Sequence, residues 1–201
     1  IEDPFVENNV MTMAGEKFII TTKIDQGSYK TIWFLYPVEP NKKLPYFVLA
    51  VEKVASPESK TINKINKAHK AWPANIIPIR TVILRNQPEN MKAFVMPLMT
   101  GTIDRLKNLN SDQIFWIVNL CRLQILKLWK SIKCVYLDVK EANFLYRTEF
   151  NKKYKQNEVA IYMGDLGSCG TELRSDATYP PPEGCSTREN CGSYIISKNK
   201  W

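Results

Sequence analysis

The sequence of 201 residues holds a single histidine, His69, and its five cysteines include no C-x-x-C pair. His69 sits in a Lys-rich helical pattern with no partner, so it reads as a surface residue rather than a catalytic base. Cys121 and Cys134 fall in or beside an apolar helical pattern, where a buried reduced thiol is expected. Cys185 and Cys191 lie in a loop, free to pair or to ligate zinc, but no histidine is near them. Cysteine usage of this kind suits a reducing, intracellular compartment. Long hydrophobic runs are also missing. The longest, Ile114 to Trp129, is interrupted by Asn119, Arg122, Gln124 and Lys127, so no membrane span is expected. With only 8 Gly and 12 Pro, collagen-like and low-complexity architectures are excluded. Residue 1 is Ile and nothing resembling a signal peptide follows it, which reads as a segment of a longer protein.

What is present is an ordinary globular composition, 44% hydrophobic and 24% charged, long enough for one or two compact domains. The net charge of +8 comes from 28 Lys and Arg against 20 Asp and Glu. The bases are spread along the chain, and the densest cluster, Lys152, Lys153 and Lys155, lies in a polar linker. This reads as a solvated surface, with a phosphate-binding stripe as the alternative. A nucleic-acid module would interleave aromatics with basic clusters, a pattern not seen here. Lys outnumbers Arg and Asn and Ile are frequent, the bias of an AT-rich coding genome such as that of a large DNA virus or a protist.

Hydrophobic periodicity divides the chain into two parts. After a polar lead (residues 1–16), Lys17–Thr22 and Thr31–Tyr36 read as strands joined by a turn at Gly27. Further strands are expected at Tyr46–Val54, Ile76–Leu84 and Lys92–Leu98, with a helix over 58–72 ended near Pro73. From residue 99 the pattern changes. A helix beginning at Ser111 and Asp112 carries Ile114, Ile117, Val118, Cys121, Ile125 and Leu128 at helical spacing. Cys134–Asp138, the pair Phe144–Leu145, a basic polar turn and Val159–Met163 follow. The expected class is α+β.

Three polar clusters fall at strand or loop ends in a fixed order: the turn at Gly27, Asp138-x-Lys140-x-x-Asn143, and Asp165-Leu166-Gly167. Phosphoryl transfer needs such parts: backbone N–H groups over phosphates, a carboxylate facing the acceptor hydroxyl, a cation, and oxygen ligands for magnesium. Asp165 ends an apolar strand before a glycine that permits a sharp turn, a suitable place for a metal ligand.

These residues resemble the motifs of eukaryotic-type protein kinases. YLDVKEANFL (136–145) is similar to the catalytic loop H-R-D-L-K-P-x-N-x-L, GDLG (164–167) to D-F-G, and PPPE (180–183) to A-P-E. FVMPLM (94–99) resembles the strand and hinge that hold adenine. The resemblance implies a two-lobed fold, with a β-rich small lobe over 17–98 and the first part of a helical large lobe over 99–201. It also implies ATP and Mg2+ as cofactors. Asp138 would take the hydroxyl proton, Lys140 would neutralise the γ-phosphate, and Asn143 and Asp165 would hold magnesium. Met96 would stand at the gatekeeper place, with the backbone of Pro97 and Met99 bonding the adenine edge. Lys at 140 is the Ser/Thr rather than the Tyr pattern.

The departures gather in the nucleotide-binding half. DQGSYKTIW (25–33) keeps only the middle glycine, Gly27, of G-x-G-x-x-G-x-V, with Asp25 and Lys30 in the outer places. The lysine of the third strand falls at Glu52 in one alignment and at Ala50 in another. A one-residue slip gives Lys53, on the opposite face unless a bulge intervenes. The glutamate expected on the helix falls at Asn63, and the only acid there is Glu58. A reversed pair of Glu52 with Lys60 or Lys67 could hold the helix instead. Tyr136 and Leu137 replace the His and Arg before the catalytic Asp, which argues against a switch by activation-loop phosphorylation. Ser175 or Thr178 is expected near the substrate position.

Two readings follow. One is a divergent Ser/Thr kinase of weak activity acting on a protein substrate. The other is a pseudokinase serving as a binding or scaffold module. The family's domains are longer, and the sequence stops at Trp201 where their long central helix is expected to begin. Completion by the rest of the large lobe or by a partner chain is therefore expected.

Overall fold

The computed structural model describes residues 2–27, 30–40, 46–52, 58–68, 76–88, 91–136 and 139–170. The described residues divide into two compact units, Ile1–Ile62 with Pro78–Leu98 and Asn63–Ile77 with Met99–Trp201.

The first unit is a closed barrel. Its strands are β1 (Phe5–Glu7), β2 (Val10–Met13), β3 (Glu16–Gln26), β4 (Lys30–Pro37), β5 (Phe47–Glu52), β6 (Arg80–Leu84) and β7 (Ala93–Pro97), in the order β1-β2-β3-β4-β5-β7-β6. The seam is the parallel pairing of β1 with β6, Phe5 opposite Ile83. The leading residues, read from the sequence as a polar lead, thus supply two strands. Their turns explain how. Asn8 and Asn9 both take left-handed φ, 50° and 62°, as do Ala14 and Gly15, 50° and 78°. Each pair forms a two-residue hairpin loop, the I′ geometry whose twist matches the flanking strands. Met11, Phe18, Leu35, Leu49, Val82, Ala93 and Val95 fill the interior.

Alternation along β5 sends Leu49 inward, with Phe47 and Val51 packed against the same cluster. Val48, Ala50 and Glu52 therefore face outward, yet all three are buried. Helix α1 (Glu58–Ala68) begins in this unit, with Glu58 in its first turn, where the helix dipole favours an acid. The rest of the helix expected over 58–72, His69 and Trp72 included, lies outside the described residues.

In the second unit, α2 (Ser111–Ile132) packs on a hairpin of β10 (Phe144–Asn151) and β11 (Gln156–Met163), with β8 (Gly101–Thr102) on the other side of β10. The helix starts at Ser111, as the sequence leads one to expect, and Asn110 caps it. The Asn110 side chain accepts from the Gln113 N–H at 2.9 Å, and the Gln113 side chain accepts from the Asn110 N–H at 3.0 Å. Buried Gln124 donates to the Ile161 carbonyl at 2.7 Å, tying α2 to β11. Two short strands, β9 (Val135–Tyr136) and β12 (Cys169–Gly170), pair antiparallel. The expected strand Ile76–Leu84 is divided: Ile76 and Ile77 bond beside Met163 in this unit, while Arg80–Leu84 is β6 of the barrel. No helix among the described residues is long and apolar enough to cross a membrane.

Cys121 and Cys134 are both buried thiols. Burial raises the Cys121 thiol to about 12, with the negative charge of Glu141 adding to the effect. The folded chain should therefore leave Cys121 unmodified by iodoacetamide at pH 8 and expose it only on unfolding. Because the folded thiol holds its proton while an unfolded one loses it near pH 9, this cysteine's contribution is intact below that pH and declines as pH rises toward 12. Peptide mapping of the alkylated native chain, read by mass spectrometry, checks the first point.

Candidate functional site

The second unit assembles the residues expected to handle magnesium and the transferred phosphate. Lys140 is extended and exposed, and it caps a short 3-10 turn, Glu141–Asn143. The Asn143 N–H closes that turn on the Lys140 carbonyl at 3.0 Å. Asn143 is buried, and its own carbonyl accepts from the Gly164 N–H at 2.9 Å. That bond sets Asn143 beside the end of β11, one residue from Asp165. Both oxygen-bearing side chains expected to ligate a hard cation are thereby fixed to one piece of backbone.

Gly164 makes this approach possible. A Cβ there would come within 2.5 Å of Leu145 Cδ1 and 3.5 Å of the Asn143 carbonyl. The turn expected at Gly167 is made instead by Asp165 itself, which adopts the left-handed φ of 50°. Asp and Asn tolerate that region better than most side chains. Leu166–Ser168 then forms a 3-10 turn. Tyr136 anchors the arrangement from β9. Its hydroxyl donates to the Gly164 carbonyl, and its ring meets the buried Phe144 ring edge-on, centroids 6.0 Å apart. In the sequence Tyr136 appears only as a replacement for histidine; its anchoring role depends on a contact across 28 residues. Asp138 and Leu137 lie outside the described residues, as do Ser175, Thr178, Cys185, Cys191 and the PPPE stretch.

In the first unit, Gly27 donates its N–H to the Lys30 carbonyl at 2.9 Å across the β3–β4 turn. Among the described residues, a Cβ at Gly27 would meet the Lys30 carbonyl oxygen alone, at the ordinary contact distance of 3.8 Å. The β4–β5 ladder runs without a shift from Leu35 opposite Phe47 to Lys30 opposite Glu52. No bulge moves β5 through Glu52, and Lys53 lies outside the described residues. Ala50 is opposite Ile32 on one side and Phe94 on the other. Ala50 and Glu52 share the outward face, fully shielded from solvent or nearly so at 0% and 2% exposure. Neither offers a cation.

An ion pair joins the barrel to α1 from the head of β4. Lys30, at the head of β4, reaches Glu58 on α1 at 3.3 Å, with Glu58 buried and Lys30 about a quarter exposed (27%). Met96 is half-buried and paired with Val48, and Pro97 is buried opposite Phe47. Met99, half-buried, belongs to the second unit.

Comparison with known proteins places the fold. No protein-family model matches the sequence, and no curated protein does. Among solved structures, the chain resembles the BubR1 kinase domain with a TM-score of 0.56 and 15% identity, over 84% of this chain and 52% of that one. It also resembles the kinase PK-1 of Cydia pomonella granulovirus, with a TM-score of 0.53 and 20% identity, over 76% of this chain and 52% of that one. The chain spans about half the length of these structures. At this identity the likeness concerns the fold, which is protein-kinase-like.

Proposed function

We propose that the chain is a divergent Ser/Thr protein kinase-like domain that binds ATP with Mg2+ and transfers the γ-phosphate, slowly, to a protein hydroxyl. The observation that carries this reading is the Asn143–Gly164 backbone bond, which holds Asn143 and Asp165 together behind a turn capped by Lys140. An amide and a carboxylate side by side offer oxygens that suit a hard cation, one that keeps other positions for water and phosphate. When bound, magnesium would neutralise phosphate oxygens. On the chain's side, Asn143 and Asp165 would hold the ion, Lys140 would offset charge on the transferred group, and Asp138 would orient the hydroxyl and accept its proton. Gly27 supports the same reading, since a residue without a side chain leaves its backbone N–H groups open to phosphates. The partner on this reading is a protein substrate.

A pseudokinase that binds a scaffold partner is favoured by one observation: Ala50 and Glu52 leave β5 without a phosphate-binding lysine. Thermal stabilisation by ATP separates the two. A magnesium-dependent rise in melting temperature that disappears in Asp165→Asn is the expected result. Asn keeps the left-handed backbone tolerable, so the substitution alters the ligand and not the turn. A well-folded chain whose melting temperature ignores ATP and magnesium would favour the pseudokinase reading.

A further inference from the structure

A site for a nucleotide's phosphates needs a fixed cation, and β5 supplies none at Ala50 or Glu52. The register shows where one stands. In an antiparallel ladder, residues opposite one another share a face, so Lys30, Ile32 and Phe34 of β4 lie on the same face as Glu52, Ala50 and Val48 of β5. Phe94 and Met96 of β7 continue it. Among the described residues of these three strands, Lys30 is the one cation on that face. It is diagonal to Ala50, a separation of roughly 7–8 Å between Cα atoms, which a four-carbon side chain spans.

Two further observations set Lys30 apart from a surface lysine. It opens β4 directly after the Gly27 turn, the segment resembling a phosphate loop, and its carbonyl closes that turn. Its ammonium is also held at 3.3 Å by Glu58, a buried acid in the first turn of α1. A lysine steadied by a helical glutamate is the arrangement that phosphoryl-transfer sites use to present a cation to phosphate oxygens. With side-chain exposure of 27%, Lys30 is also open enough to meet a ligand.

We infer that Lys30 is the phosphate-binding lysine of this chain, moved from β5 to the head of β4, and that Glu58 is its positioning residue. The ligand class is the polyphosphate tail of a nucleoside di- or triphosphate. The residue that breaks the glycine pattern of the loop and the alanine that breaks the lysine pattern of β5 are then two halves of one exchange. This rests on the nucleotide-binding part of the function proposed above, though not on turnover.

The test is titration of the purified chain with a fluorescent ATP analogue in magnesium, alongside its melting temperature and phosphoryl transfer to a generic protein substrate. Lys30→Met should weaken nucleotide binding by about 10–100-fold, the loss of one charge-assisted bond. Adding Ala50→Lys to Lys30→Met should restore most of that affinity by returning a cation to the same face. The swap Lys30→Glu with Glu58→Lys keeps the ion pair and should keep the melting temperature, yet place a carboxylate where Lys30 stood and abolish binding. If Lys30→Met binds as the original chain does, the inference fails while the kinase reading stands. If binding depends on Lys30 but no phosphate is transferred, the inference stands and the catalytic reading fails. A folded original chain that binds no nucleotide overturns both.

Discussion

Truncating Phe144 to Ala should destabilise the chain by about 3–5 kcal/mol, the cost of an emptied aromatic site in a core that closes only partly. Phe144 is completely buried, opens β10 and is paired with Met163 at the end of β11. It directly follows Asn143, so the void would lie beneath the turn that carries the proposed magnesium ligand. Loss of its edge-on contact with Tyr136 removes the packing that orients the Tyr hydroxyl. Denaturant unfolding should show the drop in midpoint. Below that midpoint, stabilisation by magnesium and ATP should shrink as well. A variant that unfolds like the original chain would mean that this pocket is not part of the folding core.

A subtler change at the neighbouring ring tests the anchor itself. Tyr136→Phe removes one oxygen and leaves the ring packing in place. Tyr136 is 1% exposed, so water does not readily replace the lost donor, and the Gly164 carbonyl is left short of a partner. The expected cost is about 1–3 kcal/mol, that of an unsatisfied buried acceptor. Because Gly164 adjoins Asp165, the magnesium concentration needed for half-maximal thermal stabilisation by ATP should rise by more than global destabilisation explains. An unchanged midpoint and an unchanged magnesium dependence would show that the hydroxyl bond contributes nothing to the turn.

Much of this was legible in the residues, for definite reasons. The β3, β4, β5 and β7 strands announce themselves through apolar, β-branched and aromatic runs that pack a closed interior, and α2 through apolar positions at helical spacing along 22 residues. The first hairpin gives little signal because Phe5–Glu7 and Val10–Met13 are short, only Met11 among them is fully buried, and Asn and Glu dominate their surroundings. Asn8-Asn9 was the available signal, since asparagine tolerates the left-handed φ that an I′ turn requires at both places. Ala14 gave no such warning, because alanine is ordinarily excluded from that region. Likewise β10 and β11 outrun their apolar ends: Gln156 and Asn157 are exposed, and it is cross-strand pairing, with Asn151 donating to half-buried Glu158 at 2.8 Å, that extends the ladder.

At the site, spacing in the sequence brings out Asn143 and Asp165, but not what joins them. The bond from Gly164 to the Asn143 carbonyl and the Tyr136 hydroxyl contact are both long-range. Motif comparison makes Lys30 a defect and Glu58 a stray acid, because it scores each position separately. The pair becomes visible only when β4 and α1 are brought together across 28 residues.

The seam of the barrel bears on how this chain must be made. β1 closes the first unit by pairing with β6, and β6 reaches β5 only through β7. Its first strands leave the ribosome long before their last neighbour exists, so during synthesis β1 waits with an open edge until Leu84 and then Pro97 have emerged. Closure is consequently a late event of high contact order, slow by comparison with the formation of the two leading hairpins. Until it happens, β1 offers unpaired N–H and C=O groups to any other strand nearby, and chaperone protection matters most during that interval.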